Sequence, residues 1–161
     1  MATLVKKLPF TVDIKKLQNT LYYIIENYSM IRGPVDRLTV KDKKENIDFI
    51  IGTSWGHVYE KIAGLYTVNT AYLIKVPPLT TLTEHTDRKE NVLVPITADK
   101  EYECIVDGKQ ISVPADGSMY LVNALLPHSG NNLGKNPSYR LVFSIVYYRP
   151  RAIYEGWSNY T

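Results

Sequence analysis

The stretch YRLVFSIVYY (139–148) is built almost wholly of β-branched, aromatic and large apolar residues, a composition that favours a strand. On extended backbone Leu141, Phe143, Ile145 and Tyr147 share one face, and Arg140, Val142, Ser144 and Val146 share the other. The first face is strongly apolar and suits packing against a helix. The second presents an arginine to an interior, and a guanidinium placed there needs an anionic partner.

Working outward from this strand, similar signals recur toward the N-terminus. LYTVNTAYLIKV (65–76), NVLVPI (91–96) and SMYLVNAL (118–125) read as strands. YECIVDGKQISV (102–113) carries Asp107-Gly108 between two β runs, a hairpin signal. PHSGNNLGKNPS (127–138) is rich in turn residues and reads as a loop joining the last two strands. Before residue 65 the period changes. Ile14, Leu17, Leu21, Ile24, Ile25 and Tyr28 recur at three- and four-residue steps, predicting an amphipathic helix over 13–28 with Asp13 as N-cap. Gly33-Pro34 ends it, and a weaker helix is expected over 56–62. About six short strands with a helix at the front predict a mainly β chain with packed helices, as a sandwich, barrel or jelly roll.

The 161 residues suit one domain, read as 1–161, with a helical front carrying short strands (1–64) and a jelly-roll core (65–150). Hydrophobic residues at 45% and charged residues at 22% exclude a disordered tail. One cysteine, Cys104, excludes an internal disulfide framework and Cys-based zinc fingers, and reads as a small buried apolar residue. The net charge of +3 is spread over small lysine clusters, without the dense basic stripe of a nucleic-acid binder. The opening MATLVKKLPFTVDIKK has no apolar run of signal-peptide length, and no stretch approaches a bilayer span, so a cytoplasmic location is expected. The sequons at Asn27 and Asn159 are then accidental. The 13 tyrosines lie mostly inside apolar patterns and are assigned first to strands and core.

The chain has three histidines, His57, His85 and His128, so each is a separate question. His85-Thr86-Asp87 places an imidazole and a carboxylate at positions i and i+2, on the same side of extended backbone. His128 follows at the end of a strand, and Arg140 lies twelve residues later. Two histidines and one carboxylate make the facial triad of non-haem Fe(II) oxygenases, which leaves three positions open for a bidentate co-substrate and dioxygen. Arg140 suits the far carboxylate of such a co-substrate, because its planar fork forms two parallel hydrogen bonds.

On HxD…H…R, and on PADGSMYLVNALLPHSGNN…YRLVFSIVYYRP, the sequence over roughly 66–150 resembles the 2-oxoglutarate- and Fe(II)-dependent dioxygenases. Within them it is most similar to the aspartyl/asparaginyl β-hydroxylase and proline hydroxylase branch. The resemblance implies a double-stranded β-helix, a cupin-like jelly roll. It implies iron bound by His85, Asp87 and His128, with Arg140 holding 2-oxoglutarate. The implied reaction is hydroxylation by O2 of a small molecule, a free amino acid or an amino-acid side chain in a peptide. 2-Oxoglutarate is decarboxylated to succinate and CO2 in the same cycle. Some β-hydroxylases have Gly where this chain has Asp87, which places it nearer the HxD members. Asn69, Tyr72 and Ser144 are further candidates for contacts to 2-oxoglutarate, by parity alone.

The remaining residues carry plainer expectations. His57 has no partner at metal-ligand spacing and reads as structural or superficial. Asn123 suits strand-end hydrogen bonding, with support of His128 as the sharper alternative. Trp55 and Trp157 default to packing, and Glu84 and Arg88 flank the HxD motif facing either substrate or solvent. Two rival functions stand beside the hydroxylase. A cupin-type metal enzyme without 2-oxoglutarate is disfavoured by the missing HxH pair, and a non-enzymatic jelly-roll binding module by the intact His85, Asp87, His128 and Arg140.

Overall fold

The computed structural model describes residues 3–97 and 102–148, and the side chains as far as Val146. Tyr147's side chain, Trp157 and the Asn159 sequon lie outside the described residues. Along the chain come β1 (Val5–Thr11), α1 (Ile14–Asn27), β2 (Asp36–Asp42), β3 (Ile47–Asp48) and α2 (Ser54–Ala63). Then follow β4 (Tyr66–Val76), β5 (Asn91–Thr97), β6 (Tyr102–Val106), β7 (Lys109–Ile111), β8 (Ser118–Val122), β9 (His128–Asn132) and β10 (Ser138–Tyr148).

The strands form two antiparallel sheets, one of seven strands ordered β1-β8-β5-β10-β4-β2-β3 and one of three ordered β7-β6-β9. β10 is central, pairing with β4 on one side and β5 on the other. This is a mainly β, jelly-roll architecture in which one sheet faces a smaller one across a cavity. The helices lie on the opposite face of the large sheet. Leu17, Leu21 and Ile24 of α1 and Trp55, Val58 and Ile62 of α2 pack with Leu73, Leu141, Phe143 and Ile145 in one buried cluster. The alternation expected of β10 is therefore realised over the described side chains: Leu141, Phe143 and Ile145 enter the core, and Arg140, Val142 and Ser144 line the cavity.

Local chemistry explains the boundaries. The Asp13 side chain accepts from the Lys15 backbone N–H at 2.9 Å and caps α1. Trp55 is fully buried, and its indole N–H donates to the Leu17 carbonyl at 3.1 Å, which joins α2 to α1 as packing. Asp107 and Gly108, at φ 51° and 74°, make the mirror-image turn between β6 and β7.

One expectation needs correction. Residues 127–138 are not all loop, because 128–132 form β9 and pair with β6 from Tyr102↔Asn132 to Val106↔His128. HSGNN has no β-branched or aromatic residue, so intrinsic preference hides it; pairing with β6 makes it a strand. The front carries short strands beside its two helices, as expected. β1 pairs with β8 and β2 with β4, so both belong to the large sheet.

Asn132 ties the two sheets at the corner between β9 and β10. Its buried amide donates to the Val76 carbonyl at 3.1 Å and to the Asn136 carbonyl at 2.7 Å, and its oxygen accepts from the Gly134 N–H at 3.1 Å. Replacing Asn132 with Ala strands these three backbone groups. Equilibrium denaturation is expected to show a loss of roughly 3 kcal/mol or more, since each buried unsatisfied group costs about 1–3 kcal/mol.

Candidate metal and co-substrate site

His85 and His128 face each other across a two-bond backbone pairing. The His85 N–H donates to the His128 carbonyl at 3.0 Å, and the His128 N–H to the His85 carbonyl at 2.8 Å. Residues paired in this way project to the same side, and the ring centroids lie 4.4 Å apart. The Asp87 N–H donates to the Ala124 carbonyl at 2.8 Å, fixing the carboxylate beside them. Asp87 Oδ2 is 3.3 Å from His128 Nε2, and Asp87 Oδ1 is 3.9 Å from His85 Nε2. One donor atom from each residue fits within 4.8 Å of the others, the span of a single ion's ligands.

The tautomers are set by the backbone. His85 Nδ1 lies 3.0 Å from the Thr83 carbonyl, and His128 Nδ1 lies 2.9 Å from the Leu126 carbonyl. A carbonyl only accepts, so each Nδ1 carries a proton, which leaves Nε2 as the nitrogen available to a metal. Asn91, which the sequence reading missed, donates from Nδ2 to Asp87 Oδ2 at 3.1 Å and orients it. The i, i+4 separation of Asp87 and Asn91 spans a bend, where spacing carries no signal. The sharper expectation for Asn123 is not met: its amide donates to the Thr3 carbonyl at 3.4 Å, and its backbone N–H to the Leu4 carbonyl at 3.0 Å.

These three residues and Arg140 line one cavity of about 490 Å³ between the sheets. Exposure falls along it, from side chains 51% exposed at His85 and 16% at His128 to Arg140, buried at 8%. No carboxylate of the described residues lies within ion-pair distance of Arg140, and its buried Nε has no hydrogen-bond partner. The Tyr102 ring lies under the guanidinium, with Cζ 4.0 Å from the ring centroid. Burial pushes the Tyr102 hydroxyl up to about 12, against the opposing pull of Arg140, so it stays a neutral donor at physiological pH. Burial also pushes the Cys104 thiol up, despite the nearby Arg140. Cys104 is buried as expected, and it also lines the cavity.

The other candidates divide. Tyr72, Ser144 and Arg88 line the cavity, whereas Asn69 and Glu84 are exposed and stand outside its wall. His57 is exposed, with Glu60 3.8 Å away on the next turn. No helix of the described residues is long and apolar enough to cross a membrane.

No family model and no curated protein matches the chain in sequence. Solved structures do match in fold. The viral collagen prolyl hydroxylase of Paramecium bursaria Chlorella virus-1, in its 2OG complex, aligns with a TM-score of 0.63 at 12% identity, over 89% of this chain and 96% of that one. A 2OG-Fe(II) oxygenase family oxidoreductase from Burkholderia pseudomallei aligns at 0.59 and 12% identity, over 88% and 83%. The cupin domain of Schizosaccharomyces pombe Cnp3 aligns at 0.50 and 10% identity, over 75% and 72%. The chain therefore shares its jelly roll with both 2OG-Fe(II) oxygenases and cupins, and it carries a His-Asp-His group in the cavity of that fold.

Proposed function

We propose that this protein is an Fe(II)- and 2-oxoglutarate-dependent dioxygenase that hydroxylates a small molecule or an amino-acid side chain, free or in a peptide. The observation that carries the reading is a buried guanidinium without a carboxylate partner among the described residues, in the same cavity as two imidazoles and a carboxylate. A charge so placed awaits an anion from outside the chain. The donor set fits Fe(II), with two imidazoles and one carboxylate on one side of an ion. When bound, the iron supplies the activation of O2 that couples decarboxylation of 2-oxoglutarate to insertion of oxygen into a substrate C–H bond.

In this reading His85, Asp87 and His128 hold the metal by Nε2, a carboxylate oxygen and Nε2. Arg140 pairs with the distal carboxylate of 2-oxoglutarate, and the Tyr102 hydroxyl donates beside it. Val142, Leu93 and Val122 give the cavity an apolar lining that limits water around the reactants. Gly130 belongs to the same arrangement. A Cβ there would run into the Tyr102 hydroxyl, and it would sit 3.9 Å from Arg140 Nη1. The second reading is a cupin-type metal enzyme that does not use 2-oxoglutarate, favoured by the cupin likeness and tested by metal-dependent turnover without the co-substrate.

Anaerobic addition of Fe(II) and 2-oxoglutarate is expected to produce a visible metal-to-ligand charge-transfer band; its absence from wild type would sink the proposal. His128→Ala is expected to lose iron binding in equilibrium dialysis while keeping a folded circular-dichroism spectrum. Arg140→Ala is expected to weaken 2-oxoglutarate, read from titration of the band, roughly 30-fold or more, because removing one partner of a buried charge pair costs about 2–5 kcal/mol. Gly130→Ala is expected to displace Tyr102 and weaken 2-oxoglutarate on the order of tenfold, with Fe(II) affinity retained.

A further inference from the structure

The wall of the cavity is strongly one-sided in charge. Arg37, Arg88, Lys89 and Arg140 line it, and Asp87 is the one acidic side chain of the wall among the described residues. Glu84 and Glu90, the nearest acids in sequence, are not part of it. On the proposed function, the double charge of Fe(II), the Asp87 carboxylate, the Arg140 guanidinium and doubly ionised 2-oxoglutarate cancel. Arg37, Arg88 and Lys89 are then left uncompensated, and none of them makes an ion pair with a described residue.

Arg37 is the most constrained of the three. Arg37 stands opposite Ile74, and Ile74 stands opposite Arg140. Directly opposed residues project to the same face, so the two arginines lie in one row, two strand spacings or roughly 10 Å apart. The backbone of Arg37 is pinned from outside as well: its N–H donates to the Ile31 carbonyl at 2.9 Å, and its carbonyl accepts from the Ile31 N–H at 2.8 Å. Its guanidinium lies over the Tyr72 ring, with Cζ 4.8 Å from the centroid. Stacking holds the fork by its face and leaves its edge N–H groups to bind an oxyanion.

We infer that Arg37, stacked on Tyr72, is a specificity-determining residue that binds a carboxylate or phosphate group of the primary substrate, so that the enzyme takes small anionic substrates in preference to neutral internal peptide segments. This rests on the proposed function, and it gives the two arginines of the row separate ligands. Arg140, buried, takes the co-substrate. Arg37, exposed at the mouth, takes the substrate, with Arg88 and Lys89 adding to the field that draws an anion in.

The test reads the arginine itself. In uniformly 15N-labelled protein loaded with Zn(II) and saturated with 2-oxoglutarate, the Arg37 Nε–Hε resonance is assigned by its disappearance in Arg37→Gln. It is then titrated separately with acetate, inorganic phosphate and acetamide. A saturable shift with acetate or phosphate, and none with acetamide, is expected, and the stronger of the two anions identifies the substrate's group. No shift with either anion, or equal shifts with acetamide, would overturn the inference. In parallel, Arg37→Gln is expected to leave the Fe(II)–2-oxoglutarate band and its titration unchanged. A band weakened as much as by Arg140→Ala would reassign Arg37 to the co-substrate and overturn the inference. Absence of the band from wild type is instead a failure of the proposed function and leaves the NMR result readable. With substrate-stimulated succinate release measured over free amino acids, peptides and their C-terminal amides, Arg37→Gln is expected to raise KM for the acids tenfold or more with kcat little changed. Equal KM values for acids and amides in wild type would overturn it.

Discussion

β10 must satisfy two unlike environments at a period of two residues, and much of the molecule is arranged around that demand. Leu141, Phe143 and Ile145 require an apolar cover, which α1 and α2 supply from one side. Arg140, immediately before them in sequence, is turned to the other side, where a guanidinium cannot be packed away like a leucine. The smaller sheet answers by standing off, leaving a cavity and placing Tyr102 against the charge. A one-residue slip of β10 would bury the arginine among the helices and expose three core residues, so the apolar face itself enforces the register.

The His-Asp-His group depends on backbone pairing more than on side-chain packing. Two reciprocal bonds between residues 85 and 128 bring the imidazoles together, and a third, from Asp87 to Ala124, brings in the carboxylate. Backbone carbonyls two residues before each histidine set the tautomers. The segment carrying His85 lies outside the named strands, yet it is held nearly as firmly as one. Such preorganisation keeps all three donors near one point before any ion arrives, which lowers the ordering cost of binding.

Charge runs through the cavity with a direction. A buried arginine and a second, exposed arginine stacked on Tyr72 lie in one row of its wall, and the histidines and Asp87 line the same cavity. The row Arg37–Ile74–Arg140 makes this a property of strand register rather than of flexible surface side chains. Within that row the two guanidinium groups differ in depth and in neighbours, Arg140 buried over Tyr102 and Arg37 exposed over Tyr72.

The sequence by itself determined the alternating faces of β10, the amphipathic α1 with its Asp13 cap, the Asp107-Gly108 turn and the mainly β class, because each follows from local period or local turn chemistry. It also singled out His85, Asp87, His128 and Arg140, since HxD is a local spacing and Arg140 stands on a legible strand. Tertiary structure alone decided that HSGNN is a strand, that β1 and β2 join the large sheet, and that Asn91, Tyr102, Gly130 and Arg37 belong to the cavity. Those placements arise from pairing between segments distant in the chain. β9 has no intrinsic strand preference to betray it, and no spacing connects Arg37 to Arg140. Only the register across β2, β4 and β10 puts them in one row.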